Sequence, residues 1–273
     1  MIFHPRHAAI AELLGTYLTF TPNTRQIEAF HADLRVLHPE LLKASIKEAL
    51  SAVDKVSVET ALQRITIHAI YNRKTKELAS LYPVIFALEN SMRSSLSEFL
   101  GNYFGRVDWW VVIRDAHLAG KTYKSFVNVA INGRLTTVDF IKQCFFTMEH
   151  LLKSHEACIS GPDKNDEFYY CLTIGDLTRL MLTDWSTIRK MFREDRIIGF
   201  KLDHYNFKSS MNLIRDARNA LYHSNPISNR RAVYAASERI LNALDFHLGD
   251  LMRILELHSS VGRTTVLGEH VGI

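Results

Sequence analysis

Arg218, Asn219 and His223 are the side chains whose types and spacing point most directly to chemistry. A guanidinium presents a planar fork that matches phosphate oxygens. Histidine is the side-chain type that exchanges a proton near neutral pH. A carboxamide one helical turn before it can orient the ring or hold a phosphate. Together these groups suffice for metal-free cleavage of RNA. A base takes the proton of a ribose 2′-OH, the oxygen attacks the neighbouring phosphate, and cations stabilise the charge that builds on the phosphate oxygens. The products would be a 2′,3′-cyclic phosphate and a 5′-OH.

The element that must position them is the stretch Leu213 to Pro226, LIRDARNALYHSNP. Wound as a helix, it places Leu213, Ile214, Ala217, Ala220 and Leu221 on one side, as a core-facing stripe requires. Arg215, Asn219 and His223 are successive i,i+4 neighbours on the other side, with Arg218 and Tyr222 beside them. Pro226 is expected to stop the helix, because the residue before a proline is pushed out of the α region. His223 then sits in the last turn, where carbonyl ends favour a cation. A last helix is expected from Ser228 to about Leu257. Arg230 and Arg231 in its first turn oppose the dipole there, so they need a nearby carboxylate or phosphate, or else point to water.

Upstream, Pro5 to about Ser80 reads as two or three amphipathic helices with no motif that carries chemistry. Leu34, Leu37, Leu41, Leu42, Ile46 and Leu50 keep helical spacing across a break at Pro39. The histidines His4, His7, His31, His38 and His68 are scattered, as surface or hydrogen-bonded histidines would be. Leu78 to Phe104 is a stronger helix, with Tyr82, Ile85, Leu88, Met92, Leu96, Phe99 and Tyr103 recurring at three- or four-residue spacing. It carries the i,i+4 pair Glu89–Arg93 with Asn90 alongside. Gly105 to Gly120 reads as a connector. Its adjacent Trp109 and Trp110 are expected to split between the core and a neighbouring helix or subunit. Asn132-Gly133 signals a turn, Thr136 or Thr137 a cap for a helix over Val138 to Ser154, and Thr173 and Asp176 caps for the next.

The bulk numbers set broad limits. The 273 residues, 47% hydrophobic and 23% charged, suit an ordinary globular protein. Six prolines and twelve glycines among long Leu/Ala/Glu/Lys/Arg-rich runs favour helices. A net charge of +4 and a pI near 8.9 are compatible with nucleic acid without demanding it. Three cysteines at unremarkable spacing suggest reduced thiols rather than a disulfide framework. No leader and no membrane-length apolar run is evident, so a cytoplasmic protein is expected. Glu149, His150, His155, Glu156 and Cys158 cluster in sequence but match no metal-ligand spacing. There is no nucleophile elbow, P-loop or dinucleotide fingerprint.

Arg218-Asn219-x-x-x-His223 matches the Arg-x(4–6)-His motif, with Asn in second place, of the HEPN superfamily, whose small helical domains include many ribonucleases. A second match, Arg253 to His258, lacks the Asn. Glu89-Asn90-x-x-Arg93 resembles an element of the first core helix of abortive-infection HEPN domains that points towards the catalytic cleft. Leu172-Thr173-x-Gly175-Asp176-Leu177, followed by Trp185 and Phe192, resembles a segment that often precedes the motif helix. Asn229 matches an Asn found shortly after the motif histidine in some relatives.

The resemblance implies an all-α, HEPN-type helical bundle over residues 78–258. An N-terminal helical region, 1–77, has no assigned function, and 259–273 is a loosely ordered tail. It implies a metal-independent endoribonuclease without cofactor, acting on tRNA, mRNA or rRNA as a toxin or antiphage abortive-infection effector. Arg218, Asn219 and His223 would be catalytic. Glu89, Asn90, Arg93, Arg215, Tyr222, Asn229, Arg230 and Arg231 would support them or bind RNA. Two copies of the motif would face each other across a homodimer, and an antitoxin or regulatory partner would fit such a role. Toxins of this superfamily held by nucleotidyltransferase antitoxins carry Tyr two residues after the motif histidine. Asn225 stands there in this chain, so that inhibition scheme is not implied. The alternatives are a non-catalytic HEPN domain that binds RNA or nucleotide or serves assembly, and a helical scaffold whose polar column is a solvated face.

Overall fold

The computed structural model describes residues 8–17, 32–33, 36–53, 60–126, 131–134, 136–160, 167–193, 199–227 and 229–247. These residues are all-α, as expected, and contain no strand. The main helices are α1 (Ala8–Tyr17), α2 (Pro39–Val53), α3 (Thr60–Phe104), α4 (Val111–Leu118), α5 (Val138–Ser154), α6 (Ile174–Thr183), α7 (His204–Tyr222) and α8 (Arg230–Ala243). No described helix is long and apolar enough to cross a membrane. The expected tail, the second motif match at Arg253–His258, and His4, His7 and His31 lie outside the described residues.

The chain forms two compact units. One comprises Met1–Pro83 with Asp216–Arg231, the other Val84–Arg215 with Ala232–Ile273. The divisions cut three continuous helices, α3, α7 and, after its second residue, α8, and the boundary expected near residue 77 also falls inside α3. In α3 the division coincides with Pro83, which lacks the N–H that would bond the carbonyl four residues earlier.

In the first unit, Ile10 and Leu14 of α1 pack with Leu42, Ile46 and Ala49 of α2 and with Ile67 of α3. Pro39 begins α2 rather than breaking it, since the first helical position needs no N–H donor. His68, expected to be at the surface or hydrogen-bonded, belongs to a cluster. Its Nε2 donates to Asp33 Oδ2 at 3.0 Å, while Arg64 donates Nε and Nη2 to the two carboxylate oxygens at 2.9 Å each. Burial raises the Asp33 carboxyl, but hydrogen bonds and charge from Arg64 and His68 outweigh it and hold the group below its ordinary range.

In the second unit, Leu88, Met92, Leu96, Leu100 and Phe104 of α3 form the spine of the core, with α5, α6, α7 and α8 packed around it. Gly105 to Gly120, expected to be a connector, contains α4. Both tryptophans are fully buried in the same core, contrary to the expected split. They sit in the turn that leads into α4 and meet rings of one cluster, Trp109 those of Phe104 and Phe140 and Trp110 that of Phe168. Trp109 Nε1 donates to the Tyr169 hydroxyl at 2.9 Å, and Trp110 stacks on Phe168 at 5.4 Å.

The local signals at α5 and at Asn132-Gly133 hold. Thr137 accepts from Phe140 N, and Asn132 and Gly133 take φ of 49° and 79° in a turn closed by the Ile131–Arg134 bridge. Cys144 is buried in the core, and burial pushes its thiol up. The last helix ends at Ala243, well before Leu257. Asp245 turns left-handed (φ 61°), Phe246 N donates back to the Leu241 carbonyl, and Arg193 N takes the Ala243 carbonyl at 2.7 Å.

Asp33→Asn is expected to lower stability near neutral pH by about 1–2 kcal/mol, because it removes the charge and one of the two acceptor oxygens that Arg64 and His68 use. The folded carboxyl titrates below the unfolded value of about 3.9, so its contribution is fully present above about pH 4 and is lost as pH falls through the folded value. Thermal melts should therefore separate the variant from the parent at pH 7 and converge as the pH drops towards 3.

Candidate active site

Helix α7 starts where Asp203 Oδ1 accepts the Asn206 amide at 2.8 Å, an N-cap that satisfies an otherwise orphaned donor. Phe207, Met211 and Ile214 bury its first part in the core of the second unit. Ala217 is buried in the part that belongs to the first unit. The helix closes before Pro226 is reached. Tyr222 is its last residue, and Ser224 adopts φ 50°. The amides of His223, Ser224 and Asn225 then return to the carbonyls of Asn219, Leu221 and Ala220 at 3.1, 3.0 and 2.7 Å. Three of the carbonyls that a helix end leaves orphaned are thus satisfied by backbone. The proline at position 226 follows an exit already made.

Of the proposed site residues, Arg218, Asn219, Tyr222, His223, Asn229, Arg230 and Arg231 fall in the first unit. Asn219, Tyr222 and His223 are exposed, and Arg218 is half-buried. The Arg218 guanidinium lies over the Tyr222 ring, 4.2 Å from its centre. Tyr222 meets Tyr82 of α3 with ring centroids 6.3 Å apart and planes at 57°. Tyr82 had been expected to face inward with the rest of its stripe, but it is 47% exposed. Arg230 pairs with Glu77 of α3, which answers the need for a carboxylate at the start of α8. Asn229 and Arg231 are exposed.

Glu89, Asn90, Arg93 and Arg215 fall in the second unit. Arg93 Nη2 donates to Glu89 Oε1 at 2.6 Å and to the Leu172 carbonyl at 2.9 Å, while Nη1 donates to Asn90 Oδ1 at 3.2 Å. Glu89 is only 6% exposed, so this is an interior tie rather than a loose surface pair. Leu172 immediately precedes the capping box of α6, in which Thr173 Oγ1 accepts from Asp176 N and Asp176 Oδ2 accepts from Thr173 N. A Cβ added to Gly175 would stand 3.8 Å from Arg215 Cδ, so Arg215 lies along the same turn. Burial raises the Asp176 carboxyl, but hydrogen bonds from Thr173 and Arg179 overcome this and hold it low. Arg93 also borders a cavity of about 260 Å3 shared with Ser94, Ser97, Glu98 and Tyr169.

Charge separates the units as well. Met1–Pro83 with Asp216–Arg231 holds 13 Lys or Arg against 9 Asp or Glu, which is the whole +4 of the chain. The other unit is balanced at 20 against 20. Sequence reading missed this partition, along with Tyr82 and the Asp33 cluster. No family model, curated protein or solved structure matches the chain.

Thr173→Ala is expected to cost about 1 kcal/mol through loss of the cap. Arg93→Ala should cost about 1–3 kcal/mol, because the buried Glu89 carboxylate and the Leu172 carbonyl lose a charged donor. Urea denaturation followed by circular dichroism measures both, and an unchanged midpoint for Arg93→Ala would remove its role as the tie between α3 and α6.

Proposed function

We infer that the protein is a metal-independent endoribonuclease of HEPN type, with Arg218, Asn219 and His223 as its reacting groups. The observation that supports this reading is the end of α7. It carries an exposed imidazole five residues after a half-buried guanidinium, with three of the helix carbonyls already satisfied by backbone and with the chain's net positive charge in the same unit. A phosphodiester is the substrate that uses all three groups. The His223 imidazole accepts the proton of the ribose 2′-OH, and the 2′-oxygen attacks phosphorus. The bond to the 5′-oxygen breaks, and that oxygen receives a proton from a second acid. Arg218 neutralises the non-bridging oxygens as charge accumulates. Asn219, at the position i−4 to His223, orients the ring or holds the phosphate.

One histidine per chain supplies either the base or the acid. The reading therefore includes a homodimer in which the His223 of a second copy completes the reaction. A role as a toxin or antiphage effector in the cytoplasm, under an antitoxin or other regulator, fits an enzyme that cuts cellular RNA. Glu89, Asn90, Arg93 and Arg215 are not reacting groups in this reading; their ties are to one another and to the start of α6.

Purified protein incubated with total tRNA in EDTA should generate fragments ending in 2′,3′-cyclic phosphate. His223→Ala should reduce the rate by at least about 100-fold, the scale expected for removing a general base. His258→Ala should leave it unchanged. Absence of cleavage across tRNA, mRNA and rRNA, with intact RNA binding, would favour a non-catalytic RNA-binding domain.

A further inference from the structure

One feature of the first unit is not used by the cleavage chemistry itself: the exposed tyrosine pair, with the Arg218 guanidinium over one of its rings. We propose that Tyr82 and Tyr222 form a stacking subsite for an unpaired nucleobase of the RNA strand, next to the Arg218–His223 motif. The inference rests on the ribonuclease reading and adds to it how the strand is held.

Three observations carry it. First, the rings are 6.3 Å apart and tilted by 57°, so no base fits between them as in a sandwich, and together they make an angled corner. A flat base can lie on one ring while its edge meets the other. Second, both rings are exposed. Tyr82 is 47% exposed, and Tyr222 is 55% exposed even though the Arg218 guanidinium covers part of one face at 4.2 Å. Aromatic surface left open on two different helical segments of one unit carries a hydration cost that a planar, π-faced ligand relieves. Third, the chemistry around the corner is that of a strand and not of an apolar partner. Arg218 reaches Tyr222 from one turn earlier in α7, Asn219 and His223 are exposed beside it in sequence, and the unit holds the chain's entire +4. Stacking on the rings with backbone contacts to the cations is how single strands are bound without base readout. A base inside a duplex is already stacked on its neighbours and cannot occupy the corner, so the subsite selects loops and single strands.

The test separates binding from cutting. A fluorescein-labelled oligouridylate with every 2′-oxygen methylated cannot be cleaved by 2′-OH attack, and its affinity is read by anisotropy. Tyr82→Leu and Tyr222→Leu keep apolar volume but remove the ring, and each should weaken binding by about tenfold. Tyr82→Phe and Tyr222→Phe should bind as the parent does. A duplex of the same length should not lose affinity in the Leu variants. Ultraviolet crosslinking of a 5-bromouridine strand to the parent protein should map to Tyr82 or Tyr222, and this needs no variant to fold. Unchanged affinity in folded Leu variants, or crosslinks elsewhere only, overturns the subsite while leaving cleavage intact. If the parent cuts no RNA yet the Leu variants bind more weakly, the subsite stands and the nuclease reading falls.

Discussion

The return of three backbone amides to the end of His204–Tyr222 is the constraint on which the account rests. A helix end leaves carbonyls that need donors, and side chains near it are often recruited to supply them. Here the amides of His223, Ser224 and Asn225 do so, with Ser224 taking the left-handed conformation that makes the reversal. A serine in that region costs roughly 1–2 kcal/mol relative to ordinary backbone. The bonds it permits offset that cost, because Asn225 N reaches the Ala220 carbonyl at 2.7 Å. The consequence is chemical: the fold holds the position of His223 through its main chain and leaves the imidazole in solvent.

Charge reinforces that arrangement. A net +4 over 273 residues is too small to argue for nucleic acid when spread evenly. Concentrated in the 99 residues of one unit, while the other unit is balanced, it is a feature of that unit that a polyanion would sense. Within that unit four of the described cations pair with carboxylates. Arg64 grips Asp33, Arg73 and Lys74 meet Glu48, and Arg230 meets Glu77.

Much of this was legible in the sequence because it depends on local spacing. The polar column of α7 followed from i,i+4 geometry, the cap at Thr137 and the capping box at Thr173–Asp176 from residue type, and the Asn132-Gly133 turn from the demand for positive φ. What failed was whatever depends on chain segments far apart. Asp33 meets Arg64 and His68 across 31 and 35 residues, and Arg230 meets Glu77 across 153. No periodicity reports such pairs. Tyr82 was misplaced for a related reason: it keeps the stripe's spacing but lies on the other side of Pro83 from Ile85 and Leu88, where the stripe's neighbours change. Trp109 and Trp110 misled because the argument against adjacent burial assumes that only one side is covered, and here rings from different elements cover both side chains.

The central claim is that a ribose 2′-oxygen is the nucleophile and that Arg218 and His223 serve it. The most direct measurement is single-turnover cleavage of an RNA that carries one 2′-deoxyribose immediately 5′ of a mapped cut. Cleavage at that position should disappear while neighbouring cuts persist. Scission continuing at the deoxy position at an undiminished rate would mean that water or another nucleophile attacks phosphorus, and the mechanism assigned to the end of this helix would be wrong.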